Sequence, residues 1–276
     1  MQGEPAQETG SALRRPGLGA EVLLVLGLSF GAAGIWALLR LVRMAMQPGG
    51  VGGQNTYLNV SATPVAWLDV LFQLSGAVLD LVPVGMALYL LAVRPALLGA
   101  DRAAPTNLQP ASPWRAARTR LGFDLSRPWR DLGLGALLAA GVGLPGISFY
   151  WLGRQMGITA NVSTNNLPDQ WWAFVLLNVA ALAAGISEEV VVVGYLVQRL
   201  EQMSWAPWAV LAGSALLRGS YHLYQGFGPF AGNVVMGLVF VLVFRRTRRV
   251  MPLVLAHWLM DIVAFVGPTL LGLFDG

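Results

Sequence analysis

The 276-residue chain has no cysteine, and none of its 18 basic residues is a lysine. The first absence excludes disulfides, thiolate metal sites and a cysteine nucleophile. The second excludes Schiff-base chemistry on a lysine amine. Charge of either sign is scarce: 12% of residues are charged and 55% are hydrophobic, whereas a soluble domain carries about 25% charged residues. This composition is that of a polytopic membrane protein. The net charge of +4 lies in the loops between apolar runs. There it reads as a topology signal, and no nucleic-acid partner is expected.

What is present is a series of long apolar runs, which predict an all-α polytopic transmembrane helix bundle. Seven spans are expected, at about Glu21 to Met46, Val65 to Val93, Leu132 to Leu152, Trp171 to Arg199, Pro207 to His222, Phe230 to Phe244 and Met251 to Leu271. Arginines cluster at Arg14 and Arg15, in the 94–130 segment, at Arg199 and at Arg245–Arg249, and these clusters alternate with nearly uncharged loops. The positive-inside rule then puts the N-terminus in the cytoplasm and the C-terminus outside. Arg40 and Arg43 run against that pattern and are accommodated by snorkelling from the outer end of the first span. Gly27 and Gly31 form a small-xxx-small pair, suited to helix packing. Leu121 to Leu125 is expected to lie along the membrane surface.

The chemistry concentrates in the fourth, fifth and seventh spans. Glu188 and Glu189 sit side by side deep in the apolar run from Trp171 to Val197. One charged side chain at the bilayer centre costs roughly 2.5–3.5 kcal/mol on insertion scales, so an adjacent pair marks a functional site by default. Both histidines of the chain, His222 and His257, follow in the next apolar stretches. Arg218 with His222, and His257 with Asp261, are i,i+4 pairs that share a helix face. At 1.5 Å per residue Glu188 and His257 come out near mid-membrane, whereas His222 falls deeper than its partners on a continuous fifth helix. Asp69 and Asp80 lie on one face of the second span, where hydrogen bonding to a neighbouring helix is at least as good an account as chemistry.

Two chemistries suit this set. A glutamate can act as general base towards water while an imidazole orients that water or stabilises an oxyanion. Alternatively, two imidazoles and a carboxylate, from His222, His257 and a glutamate, can hold a metal that lowers the pKa of its bound water. The bland alternative is a polar network that only fastens the helices together.

The order and spacing resemble those of the CPBP intramembrane proteases, which include the type II CAAX prenyl endopeptidases and bacteriocin-processing or immunity proteins. That family shows Glu-Glu-x-x-x-Arg, then Phe-x-x-x-His, then His-x-x-x-Asn, each on its own membrane helix. Here these become Glu188-Glu189 with Val193, Arg218 with His222, and His257 with Asp261. Val193, Arg218 and Asp261 depart from the pattern. Arg218 is expected to replace the motif arginine by neutralising Glu189 from the neighbouring helix. The resemblance implies catalytic roles for Glu188, His222, His257 and Asp261, with Glu189 and Arg218 supporting them. If a metal is used, His222, His257, Glu188 and Asp261 would hold it, and zinc suits these oxygen and imidazole donors. The resemblance further implies a membrane-associated protein or peptide as substrate. The domain plan is then a disordered cytoplasmic tail over 1–19, two helices over 20–93, an Arg/Pro-rich cytoplasmic linker over 94–130 and a catalytic bundle over 131–273. The absence of lysine and the compact build point to a bacterial plasma membrane. A non-proteolytic immunity or binding protein is the rival reading. A proton-coupled transporter using Asp80, Glu188 and the histidines ranks last, because the two halves show no internal repeat.

Overall fold

The computed structural model describes residues 17–93, 112–163, 166–167 and 170–270. Most of the expected tail, Arg94, Arg102 and most of the Pro105–Pro113 stretch lie outside the described residues. Among the described residues the chain is all-α apart from two three-residue strands. In order it forms α1 (Leu18–Gly27), α2 (Phe30–Ala45), β1 (Asn55–Tyr57), α3 (Ala66–Asp80), α4 (Val82–Val93), α5 (Pro113–Arg120), α6 (Pro128–Gln155), β2 (Asn161–Ser163) and α7 (Trp171–Glu188). α7 continues through a π-helical stretch, Glu189–Tyr195, into α8 (Leu196–Gln202). α9 (Pro207–Ser220), α10 (Phe227–Thr247) and α11 (Met251–Leu270) follow.

Among the described residues, 4 helical stretches are long and apolar enough to cross a membrane, or 5 if the bent pair α1–α2 is one span. This is a multi-pass membrane protein, but the expected count of seven is not reached. α9 has 14 residues, about 21 Å of helix against a hydrocarbon core of about 30 Å. The apolar part of α11, Met251–Val266, is also short.

Two helix breaks shape the interior. α1 and α2 meet at 51°, and in the break the Ser29 hydroxyl donates to the Val25 carbonyl at 2.7 Å. A Cβ at Gly31 would stand 2.7 Å from the Leu26 carbonyl oxygen, so this glycine permits the bend. It does not serve the helix approach that its pairing with Gly27 suggested, and Gly27 has nothing within 4 Å. α3 and α4 part at Leu81. Pro83 lacks the N–H that a continuous ladder needs, and the Ser187 hydroxyl of α7 donates to the Asp80 carbonyl at 2.8 Å.

The core is built around the π-helical stretch, where Val190, Val191, Val192 and Val193 are fully buried against residues such as Phe240, Phe244 and Leu253. Between lipid-facing helices such packing rests on close van der Waals contact, since lipid is as apolar as the side chains. Leu137 and Leu144 of α6 and Trp36 of α2 point outward, as lipid contact requires.

The arginine-rich end is closed by a plug. Leu121, expected at the membrane surface, is instead fully buried, and its carbonyl accepts from the Val250 amide at 2.8 Å. Gly122 turns there with φ 57°, and a Cβ would lie 2.6 Å from the Arg249 Cα, so no other residue fits. Arg249 holds the plug by hydrogen bonds to Asp131, Asp124 and Ser126. Partial burial works to raise the Asp124 pKa, but hydrogen bonds from Ser126 and the Arg249 guanidinium outweigh it and hold the carboxyl down at about 2. Around the corner Glu201 pairs with Arg245 and Arg248.

At the opposite end β1 and β2 pair in parallel, Asn55 beside Asn161 and Tyr57 beside Ser163. Arg154 Nη1 donates to the Gly52 and Thr159 carbonyls at 2.9 and 2.7 Å, stitching the two loops together. Asp69 is buried here and accepts from the Ala62 amide at 2.7 Å, a structural bond.

Candidate active site

Glu188 ends α7 and Glu189 begins the π-helical stretch, so the adjacent carboxylates straddle a change of winding. Neighbouring helical side chains diverge by about 100°, and the two glutamates meet different surroundings. Glu189 is fully buried. Its Oε1 accepts from Arg218 Nη2 at 2.6 Å and from His257 Nδ1 at 2.7 Å. Glu188 is 9% exposed. Its Oε2 accepts from the Tyr221 hydroxyl at 2.7 Å and faces Arg218 Nη1 at 3.5 Å and His222 Nε2 at 3.9 Å.

Arg218 of α9 therefore lies between the two carboxylates, in the pairing with Glu189 that its position suggested. A guanidinium is suited to this place, because its planar fork serves two acceptors at once. It also stacks over Phe240, with the ring centroid 5.4 Å away. Val193, which stands where the motif has arginine, is fully buried among apolar groups.

His222 is not on the same helix as Arg218. α9 ends at Ser220, and the His222 amide donates to the Gly219 carbonyl at 2.9 Å in the turn that leads to α10. The chain reverses there, which removes the excess depth expected of a continuous helix. Neither ring nitrogen of His222 has a hydrogen-bond partner among the described residues, the nearest group to Nε2 being the Glu188 carboxylate at 3.9 Å. His257, one turn before Asp261 on α11, spends Nδ1 on Glu189 and turns Nε2 to Asp261 Oδ2 at 3.5 Å.

The group that sequence reasoning underweighted is Tyr221, which bonds Glu188 directly and stacks on the His222 ring at 4.8 Å. Its position beside His222 was the only available signal. Nearby, the Tyr224 hydroxyl accepts from Gln225 Nε2 and Asn233 Nδ2 donates to the Pro229 carbonyl.

A cavity of about 320 Å³ reaches Glu188 from the side of the two helix breaks. Its walls include Leu28, Ser29 and Phe30 at the first break, Asp80 and Pro83 at the second, and Glu188 itself. Arg218, His222 and His257 lie behind Glu188 and do not line it.

The metal set expected from the sequence, His222, His257, Glu188 and Asp261, does not converge. Among the described residues the ligand atoms that come within 4.8 Å of one another belong to Glu188, Glu189 and His257. Even these fit a dication poorly. Glu189 Oε1 is already shared by Arg218 and His257, and the buried guanidinium supplies the positive charge between the carboxylates. A zinc ion would be placed against that cation.

Residues 170–263 match the family described as type II CAAX prenyl endopeptidase Rce1-like. This stretch contains Glu188, Glu189, Arg218, His222, His257 and Asp261 and leaves α1–α6 outside it. The match supports the CAAX-protease-like resemblance carried by the three motifs, and with it a membrane peptidase. No curated protein and no solved structure matches the chain.

Proposed function

We propose, with the Rce1-like match over residues 170–263 as the premise, that the protein is an intramembrane endopeptidase. It hydrolyses a peptide bond of a membrane-associated protein or peptide, using Glu188 to activate water. The observation that carries this reading is the different fate of the two adjacent glutamates. Glu189 is consumed by Arg218 and His257. Glu188 lines the cavity, and no described residue bonds its Oε1. A base must have a free oxygen where water can reach it.

In this reading water reaches Glu188 Oε1 from the cavity, while His222 faces Oε2 of the same carboxylate. Glu188 takes one proton as the water oxygen bonds to the peptide carbonyl carbon, and the carbonyl π pair moves onto its oxygen. His257 is held by its Nδ1–H on Glu189, and a proton on Nε2, steadied by Asp261, is offered to that oxyanion. Glu188 then returns its proton to the amide nitrogen as the C–N bond breaks. Tyr221 and Arg218 position Glu188 and balance its charge. No metal takes part in these steps.

The test compares new protein termini in membranes from cells that express the unsubstituted protein or Glu188→Gln at matched abundance. Loss of a general base typically costs 10²–10⁴-fold in rate, so termini that depend on the protein disappear in Glu188→Gln. Identical termini with a folded protein would replace hydrolysis by the binding or immunity reading.

A further inference from the structure

The second carboxylate in the cavity has no role in the chemistry above. Asp80 closes α3, is exposed, and lines the same space as Glu188. The two lie at similar depth, about 21 Å along α3 from Ala66 and about 26 Å along α7 from Trp171. The Ser187 hydroxyl fastens the Asp80 carbonyl to α7 one residue before Glu188. Among the described residues no group hydrogen-bonds or ion-pairs with the Asp80 carboxylate, although a carboxylate at membrane depth is costly without a partner.

The rest of the wall shows what partner is missing. Leu28, Phe30, Leu79 and Pro83 supply apolar surface, and Ser29 and Ser187 are the neutral polar groups. Among the described residues no arginine or histidine lines the cavity, and Arg218 is fully buried behind Glu188. At about 320 Å³ the space is at the small end of ligand sites, which run from roughly 300 to 1,000 Å³. It suits one long side chain with an apolar stem and a charged head.

We propose that Asp80 is a specificity-determining residue, and that the cavity takes a basic side chain, arginine above all, of the substrate segment beside the bond presented to Glu188. A guanidinium pairs with a carboxylate through two parallel hydrogen bonds, and the stem covers Leu79 and Pro83. The word substrate rests on the peptidase reading. Recognition of the cation does not, and the test separates them.

The purified full chain is placed in phosphatidylcholine nanodiscs and titrated with two probes, N-dodecanoyl-arginine amide and N-dodecanoyl-citrulline amide. They have nearly the same shape and differ in the positive charge. The expected result is at least tenfold tighter binding of the arginine probe. The preference is retained in Glu188→Gln and in Asp80→Glu and falls to within twofold in Asp80→Asn. Equal binding of the two probes to the unsubstituted protein overturns the proposal, whether or not Asp80→Asn folds. So does a preference that survives in folded Asp80→Asn. A probe preference that depends on Asp80, combined with termini unaffected by Glu188→Gln, would retain the cation site and remove the peptidase.

Discussion

Arg199 and Arg218 are both fully buried, and both sit against glutamate on the long helix that carries the site or on its neighbour. Their surroundings differ in one respect. In Arg199 each of the three nitrogens has an acceptor: Nε donates to Glu21, Nη1 to Gln202 and Nη2 to the Leu90 carbonyl, at 2.8, 2.8 and 2.9 Å. Tyr195 completes the arrangement with a 2.9 Å bond to Glu21. Around Arg218 the account does not close. Its own Nε, Glu189 Oε2 and both His222 nitrogens are buried without a hydrogen-bond partner among the described residues, against the usual pairing of buried polar groups. The first cluster is a clamp joining α1, α4 and α8, and the second gathers two carboxylates on one guanidinium.

The largest way to break this comparison is Arg218→Ala. It leaves two adjacent carboxylates buried without their cation, and removing one partner of a buried pair costs about 3–5 kcal/mol. Both the folded fraction in detergent, read by thermal unfolding, and cleavage per folded molecule are expected to collapse. Retained cleavage by a folded variant would mean that Glu189 needs no neutralisation. Arg199→Ala sharpens the contrast. It removes the cation beside Glu21, which keeps its bond from Tyr195, and costs a similar or slightly smaller amount of stability by the same measurement, yet cleavage per folded molecule stays within a few-fold of the unsubstituted protein. A parallel loss of chemistry would make the Arg199 cluster part of the active machinery.

The smallest effect belongs to the Asp124–Arg249 pair at the arginine-rich end, where both groups are reached by solvent. The Asp124 carboxyl, held at about 2, titrates below its ordinary value of about 3.9. Its contribution is therefore complete above about pH 4 and is lost as the pH falls towards 2. Asp124→Asn is expected to cost less than about 1 kcal/mol at neutral pH because water screens the pair. The difference from the unsubstituted protein should shrink in unfolding curves taken from pH 5 down to pH 2.

Much of the site was legible in one dimension because charges inside apolar runs are rare enough to be informative. Glu188, Glu189, Arg218, His257 and Asp261 stand out on that ground, and the pairing of Arg218 with Glu189 followed from an arginine missing at Val193 and one added a helix later. Tyr221 was harder to weigh, since a tyrosine beside a turn is ordinary until the turn is seen to face Glu188. The end of α9 was hidden because Gly219 and Ser220 are weak stop signals inside an apolar stretch. A run of four valines reads equally as strand or as helix, and nothing in it announces a π-helical winding. The strands β1 and β2 have three residues each, too few for alternation to register. The burial of Leu121 depends on a contact with Val250 across the fold, which no local pattern contains.

The under-wound stretch Glu189–Tyr195 makes helical winding a property of the candidate site. It lies between the glutamate pair and Arg199, so it sets the rotational phase of one buried arginine cluster against the other. The same seven residues wound as an ordinary α-helix would turn by about 100° each and carry everything beyond them round relative to the glutamates. Either Arg199 would swing away from Glu21 or the glutamates would swing away from Arg218. A substitution within the run that keeps the winding acts through local volume, whereas a change of winding acts on both ends of the helix at once.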